Sequence, residues 1–136
     1  MKIIPYLSFS GDCREAFAFY ERVLDGTILD MITHGDTPEG EGAGAHWSDK
    51  IMNAHMRAGE YELMGADTPP EYAQPGGGFS LSLHFEDPAR ARSVYDALSE
   101  GGEQTMPFAS TSWSPGFGMT RDRFGVHWMV NVVPQA

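Results

Sequence analysis

Two stretches of this chain repeat one another at a constant offset, and that repeat limits the fold more than any other feature. Asp12 falls on Asp87, Ala16 on Ala91, Tyr20 on Tyr95 and Gly26 on Gly101. Each stretch therefore opens on a helix-capping residue, places apolar side chains at helical spacing and closes on glycine. Around the first copy the order reads strand, helix, three strands. An apolar strand over residues 2–9 contains Pro5, which marks a sheet edge or a bulge because it donates nothing to a ladder. Asp12 and Glu15 have capping-box spacing, and Ala16, Phe19, Tyr20, Val23 and Leu24 follow as a helical stripe. A strand over residues 27–33 leads into the glycine- and acid-rich loop from His34 to Ala45. A hairpin then pairs Ile51 to Ala58 with Tyr61 to Ala66 across Gly59-Glu60.

The second copy keeps this order. Phe79 to Glu86 alternates, with Phe79, Leu81, Leu83 and Phe85 on one face and Ser80, Ser82, His84 and Glu86 on the other. Asp87-Pro88 starts a helix whose buried stripe is Ala91, Val94, Tyr95 and Leu98. Strands follow at about 104–108, 116–121 and 126–133. In the last of these Val126, Trp128, Val130 and Val132 point one way, and His127, Met129 and Asn131 the other. The pattern predicts one α+β domain over residues 1–136. It is built from two tandem βαβββ modules, about 1–67 and 79–136, with a linker of about 68–78. Such a unit leaves one sheet face without a helix, so two copies would form a half-barrel mixed sheet with helices on the outer face and a cleft inside.

Charge and composition remove several function classes. Nine basic against nineteen acidic residues give a net charge of −10, which repels phosphate backbones and anionic bilayers. Nucleic acid and membrane are thus not expected partners. No apolar run approaches the roughly 18 residues of a membrane span, and the first residues lack the pattern of a signal peptide. A single cysteine, Cys13, fits a reducing compartment, so the expected location is cytoplasmic.

Several segments together resemble the vicinal oxygen chelate superfamily of glyoxalases, bleomycin-resistance proteins and dioxygenases, and within it the PhnB-like branch, whose members often carry a 3-demethylubiquinone-9 3-methyltransferase label. They are Pro5-Tyr6-Leu7-Ser8-Phe9, Ala16-Phe17-Ala18-Phe19-Tyr20 with Leu24, Met106-Pro107-Phe108, Trp113, and Asp122-Arg123-Phe124-Gly125-Val126-His127-Trp128. The resemblance implies a homodimer, with modules pairing either within a chain or across the dimer. It also implies a divalent metal held by His and Glu side chains at positions that here are Pro5, Leu63, Ser80 and Met129. None of these four is a good ligand for a hard divalent ion, so no cofactor is expected, and a metal only at a nonstandard site. For that nonstandard site the candidates are His55, with His127 or Glu62, and His84. The label's methyl donor finds no loop, since Gly76-Gly77-Gly78 precedes a strand, where a nucleotide loop follows one.

The expected ligand-binding residues are Ser80, Ser82, His84, Phe108, Trp113, His127 and Met129. They combine hydrogen-bonding groups with a soft aromatic lining suited to flat or apolar small molecules. His84 and His127 are also the acid–base candidates. Cys13 lies beside a helix N-terminus, where a thiolate is favoured. His34 and His46 are expected in solvent, and the acidic run from Asp36 to Glu41 reads as a lid. Three functions fit: a small-molecule-binding protein without the standard metal site, an enzyme of the lyase, dioxygenase or transferase class, or a homodimer whose apolar face is purely an interaction surface. The enzyme would use a nonstandard metal or histidine acid–base chemistry in the same cleft.

Overall fold

The computed structural model describes residues 1–38, 45–74 and 76–135. The chain divides into two compact units, Met1–Pro75 and Gly76–Ala136. The first contains β1 (Tyr6–Phe9), α1 (Cys13–Val23), β2 (Thr27–Thr33), β3 (Ile51–Ala58) and β4 (Tyr61–Asp67). The second contains β5 (Leu81–Phe85), α2 (Pro88–Ser99), β6 (Glu103–Ala109), β7 (Phe117–Arg121) and β8 (His127–Val132). The strand orders, β1-β4-β3-β2 and β5-β8-β7-β6, are the same in both units. In each, the first and last strands pair in parallel and the other pairs are antiparallel. The fold is therefore α+β, two βαβββ modules, each with an open four-stranded mixed sheet.

Each helix covers one face of its own sheet, and in each a glycine lets it come close. A Cβ at Gly65 would lie 2.8 Å from the Phe17 ring and 2.9 Å from the Leu7 carbonyl oxygen. In the second module a Cβ at Gly118 would lie 2.7 Å from the Tyr95 ring. A large aromatic thus sits directly on bare backbone, where any side chain would push the helix away. Tyr95 ties the contact further, its hydroxyl donating to the Met106 carbonyl at 2.8 Å. Phe17, Tyr20, Tyr95, Val94 and Leu98 are all fully buried.

The helix starts differ between modules. Asp87 caps α2 as expected, its side chain accepting from the Ala89 N–H at 3.0 Å. Asp12 forms no capping bond. Its part is taken by Asp67, expected at the end of the first module but here buried in β4 at 2% exposure. One Asp67 oxygen accepts from Gly11 and Cys13 N–H at 2.8 and 3.0 Å, and the other from Ile51 N–H at 2.8 Å. Sequence spacing pointed to Asp12 because the carboxylate that does the work arrives from a strand more than fifty residues away. Asp122 does similar work in the β7–β8 turn. It accepts from Phe124 and Val126 N–H and from the Trp128 indole N–H.

Two further expectations need correction, and a third falls largely outside the described residues. His34 is buried and not in solvent: its Nε2 lies 3.0 Å from the Asp67 carbonyl oxygen, and its ring meets Trp47 edge-on. β5 begins at Leu81 and not at Phe79, which is 62% exposed. The part of the acidic loop at residues 39–44 lies outside the described residues, whereas Asp36 is described and accepts a hydrogen bond from the Thr33 hydroxyl.

Asp67→Asn places an amide nitrogen where a buried oxygen now accepts, so at least one N–H loses its partner. Urea unfolding should show a loss of about 2–4 kcal/mol. An unchanged midpoint would mean that the three donors find partners without this carboxylate.

Candidate functional site

The face of each sheet turned away from its own helix is set by strand alternation. In β5 the half-buried Leu81, Leu83 and Phe85 face α2, leaving Ser82 and His84 exposed on the other side. In β8 the buried Trp128, Val130 and Val132 face α2, leaving His127, Met129 and Asn131 opposite. Strand register arranges these side chains in rows. Ser82 pairs with Met129, Met129 with Met119 and Met119 with Met106, a strip of three thioethers ending on a hydroxyl. On one side of that strip His127 pairs with Arg121. On the other, His84 pairs with Asn131 and Asn131 with Phe117.

At the His127 end lies an open hollow of about 390 Å³, lined by Gly78, Phe79, Ser80, His127 and Met129. The sequence placed Ser80, His127 and Met129 on this face, and they meet here. Phe79 was assigned to the helix side because alternation was counted past the real start of the strand. Ser82 and His84 continue the face beyond the hollow. The Ser82 hydroxyl lies 2.9 Å from His84 Nε2, and Asn131 Nδ2 lies 3.2 Å from His84 Nδ1. Asn131 Oδ1 is buried and has no hydrogen-bond partner. Trp113 is 59% exposed and meets Phe117 edge-on at 5.6 Å, at the Asn131 end.

Phe108 lies elsewhere. Its ring packs at 5.5 Å from Tyr95, with the Arg92 guanidinium over it at 5.7 Å, so it belongs to the helix side of the sheet. Register irregularities in β6, between Gln104 and Met106 and again between Met106 and Ala109, break the alternation that would have predicted its direction.

The corresponding face of the first module is more self-contained. Glu62 accepts from Lys2 Nζ at 2.6 Å and meets His55 Nε2 at 2.7 Å. The Lys2 hydrogen bond, followed by that of His55, holds the Glu62 carboxyl below its ordinary range. Tyr6 donates to Asn53 Oδ1 at 2.9 Å. Leu63 points to the helix side and is buried. The four positions expected from the resemblance do not form a divalent-metal donor set. Pro5 and Leu63 have no side-chain donor, and Ser80 and Met129 supply only a hydroxyl and a thioether. Among the described residues no three His, Cys, Asp or Glu side chains gather as a metal-holding group.

Cys13 is also corrected. It is fully buried, and burial first, then the charges of Asp67 and Asp12, pushes its thiol up to about 12. The helix N-terminus does not make it a nucleophile, because desolvation and two carboxylates outweigh the helix dipole. A raised value keeps the thiol protonated through neutral and mildly alkaline pH. The folded protein should therefore leave Ellman's reagent unreacted at mildly alkaline pH and titrate one thiol after denaturation. Rapid reaction of the native protein would contradict the burial.

Comparison with known proteins agrees with this architecture. The model of the Glyoxalase/Bleomycin resistance protein/Dioxygenase superfamily matches residues 2–130. The chain is 34% identical to protein YjdN of Escherichia coli K12 over 143 aligned positions, covering 99% of this chain and 97% of that protein. Among solved structures, protein PA1353 of Pseudomonas aeruginosa superposes with a TM-score of 0.90 at 44% identity, covering 99% of both chains. The PhnB protein of Bacillus cereus superposes with a TM-score of 0.80 at 26% identity, covering 98% of this chain and 100% of that one.

Proposed function

From a chain that belongs to the Glyoxalase/Bleomycin resistance protein/Dioxygenase superfamily and is PhnB-like, we propose a small-molecule-binding protein that works without the superfamily's divalent metal. The ligand lies against the helix-free face of the second module. One observation carries the reading: a hollow whose lining joins an aromatic edge, a thioether, a hydroxyl and an imidazole. Phe79 and Met129 suit a flat, polarisable body, and Ser80 and His127 suit a hydrogen-bonding group on its rim. Neither Ser80 nor His127 has a side-chain hydrogen bond to another described residue, so a ligand acceptor would not compete with an internal partner. Arg121, the register neighbour of His127, adds a positive charge that favours an anionic group in an otherwise acidic protein.

A cytoplasmic homodimer completes the proposal. The lone buried thiol is at home in a reducing compartment, and superfamily members typically form dimers. No helix of the described residues is long and apolar enough to cross a membrane. A second reading, an enzyme using histidine acid–base chemistry on the same face, is favoured by the contacts of Ser82, His84 and Asn131.

Isothermal calorimetry with a panel of flat aromatic carboxylates, 2-naphthoate first, tests the binding reading. His127→Ala and Met129→Ala should each weaken binding about tenfold, or about 1.4 kcal/mol. Trp113→Ala should weaken only ligands long enough to reach the Asn131 end. Phe108→Ala should lower stability and leave affinity unchanged. No binding from the panel, or binding indifferent to both His127 and Met129, would overturn the proposal.

A further inference from the structure

Asn131 is an expensive residue in its place. Its Oδ1 is out of solvent with no donor, while its Nδ2 faces a ring nitrogen of His84. The two amide ends are isosteric, and the hydrogen-bond network alone decides which is which. As placed, Asn131 donates to Nδ1, and His84 Nε2–H donates to Ser82. Turned over, His84 Nδ1–H donates to Oδ1, and Nε2 accepts the Ser82 proton. Both arrangements leave one amide atom unpaired, at a cost of about 1–3 kcal/mol. An apolar side chain would avoid that cost, so packing alone does not explain an asparagine here.

We propose that Ser82, His84 and Asn131 form an acyl-transfer relay, in which Ser82 takes the acyl group of a small ester or thioester. The inference rests on the binding reading, because the hollow is where the substrate body would lie. Ser82 is the register partner of Met129, which lines that hollow, so a carbonyl carbon at the Ser82 hydroxyl has its acyl group beside the thioether. The Ser80 hydroxyl and the His127 ring lie on the same face one register step away and serve as donors to the oxyanion.

The chemistry balances without a cofactor. Ser82 Oγ bonds to the carbonyl carbon as its proton passes to His84 Nε2. The tetrahedral intermediate then breaks its bond to the leaving alcohol or thiol, which carries away that proton. Water, deprotonated by the same nitrogen, attacks the Ser82 ester; the bond to Ser82 Oγ then breaks, Oγ takes that proton back from His84, and the carboxylic acid leaves. Ser82 and His84 are catalytic in this scheme, and Asn131 is a positioning residue that holds the Nδ1–H tautomer.

The test is p-nitrophenyl acetate with the full chain, read as a burst of p-nitrophenolate and as acetylation located by peptide mass spectrometry. One acetyl group on Ser82 is expected. Ser82→Ala should abolish it and Ser82→Cys should keep it, which separates loss of the nucleophile from loss of fold. His84→Gln should slow acylation by about 10²–10⁴-fold. Asn131→Leu should slow it as well, while Asn131→Asp, whose carboxylate accepts from Nδ1–H in either orientation, should restore or raise the rate. A purely structural asparagine would show no such rescue. Acetylation at another residue, or a burst unchanged in Ser82→Ala, overturns the relay. No acetylation while 2-naphthoate still binds overturns the relay alone, and loss of both overturns the binding reading with it.

Discussion

Each module depends on one buried carboxylate that accepts three N–H donors. Asp67 gathers the β1–α1 turn, the start of α1 and the start of β3 onto the end of β4. Asp122 gathers the β7–β8 turn and the Trp128 indole. A carboxylate taken out of water is tolerated only when its lone pairs are filled, so the cost of burial becomes a demand for one backbone arrangement. For Asp122 that demand reaches the candidate site directly. By fixing the turn and Trp128 it fixes which residues of β8 face α2, and so sends His127, Met129 and Asn131 to the other side.

The helices enforce the same division from above. Phe17 on Gly65 and Tyr95 on Gly118 bring each helix close to its sheet through positions that accept no side chain. Mostly apolar residues are used on that side, and in the second module Met106, Met119 and Met129 share a row with Ser82 on the helix-free face. The Met106–Met119–Met129 strip follows from register, not from proximity in sequence. Its unbranched, polarisable side chains give a surface that adapts to ligands of different shape.

Much of this was legible in the chain itself. The two helical stripes, the β8 alternation and the equal order of elements along the two modules follow from local periodicity, and local periodicity is what a sequence displays. What was missed depends on distant partners. Asp67 looked like no more than the end of the first module because its donors come from other elements of the chain, and His34 looked solvated because the Asp67 carbonyl that receives it is also distant in sequence. Phe108 was misdirected by irregular register in β6, and Phe79 by a strand that starts two residues later than its alternation. The partnership of Asn131 with His84 spans 47 residues and had no local sign beyond a shared face.

The two modules repeat a backbone but not a surface chemistry, and this contrast argues for where function sits. In the first module the helix-free face satisfies itself: Lys2 and His55 meet on Glu62, and Tyr6 meets Asn53. A ligand there would have to displace contacts already made, including a charged pair. In the second module the Ser80 and His127 side chains, which line the hollow, hold no hydrogen bond to another described residue. Binding energy is gained where polar groups lack partners, because a ligand then supplies hydrogen bonds that folding left unmade. Both modules share the same platform, and it is the second whose helix-free face keeps polar side chains without a partner among the described residues.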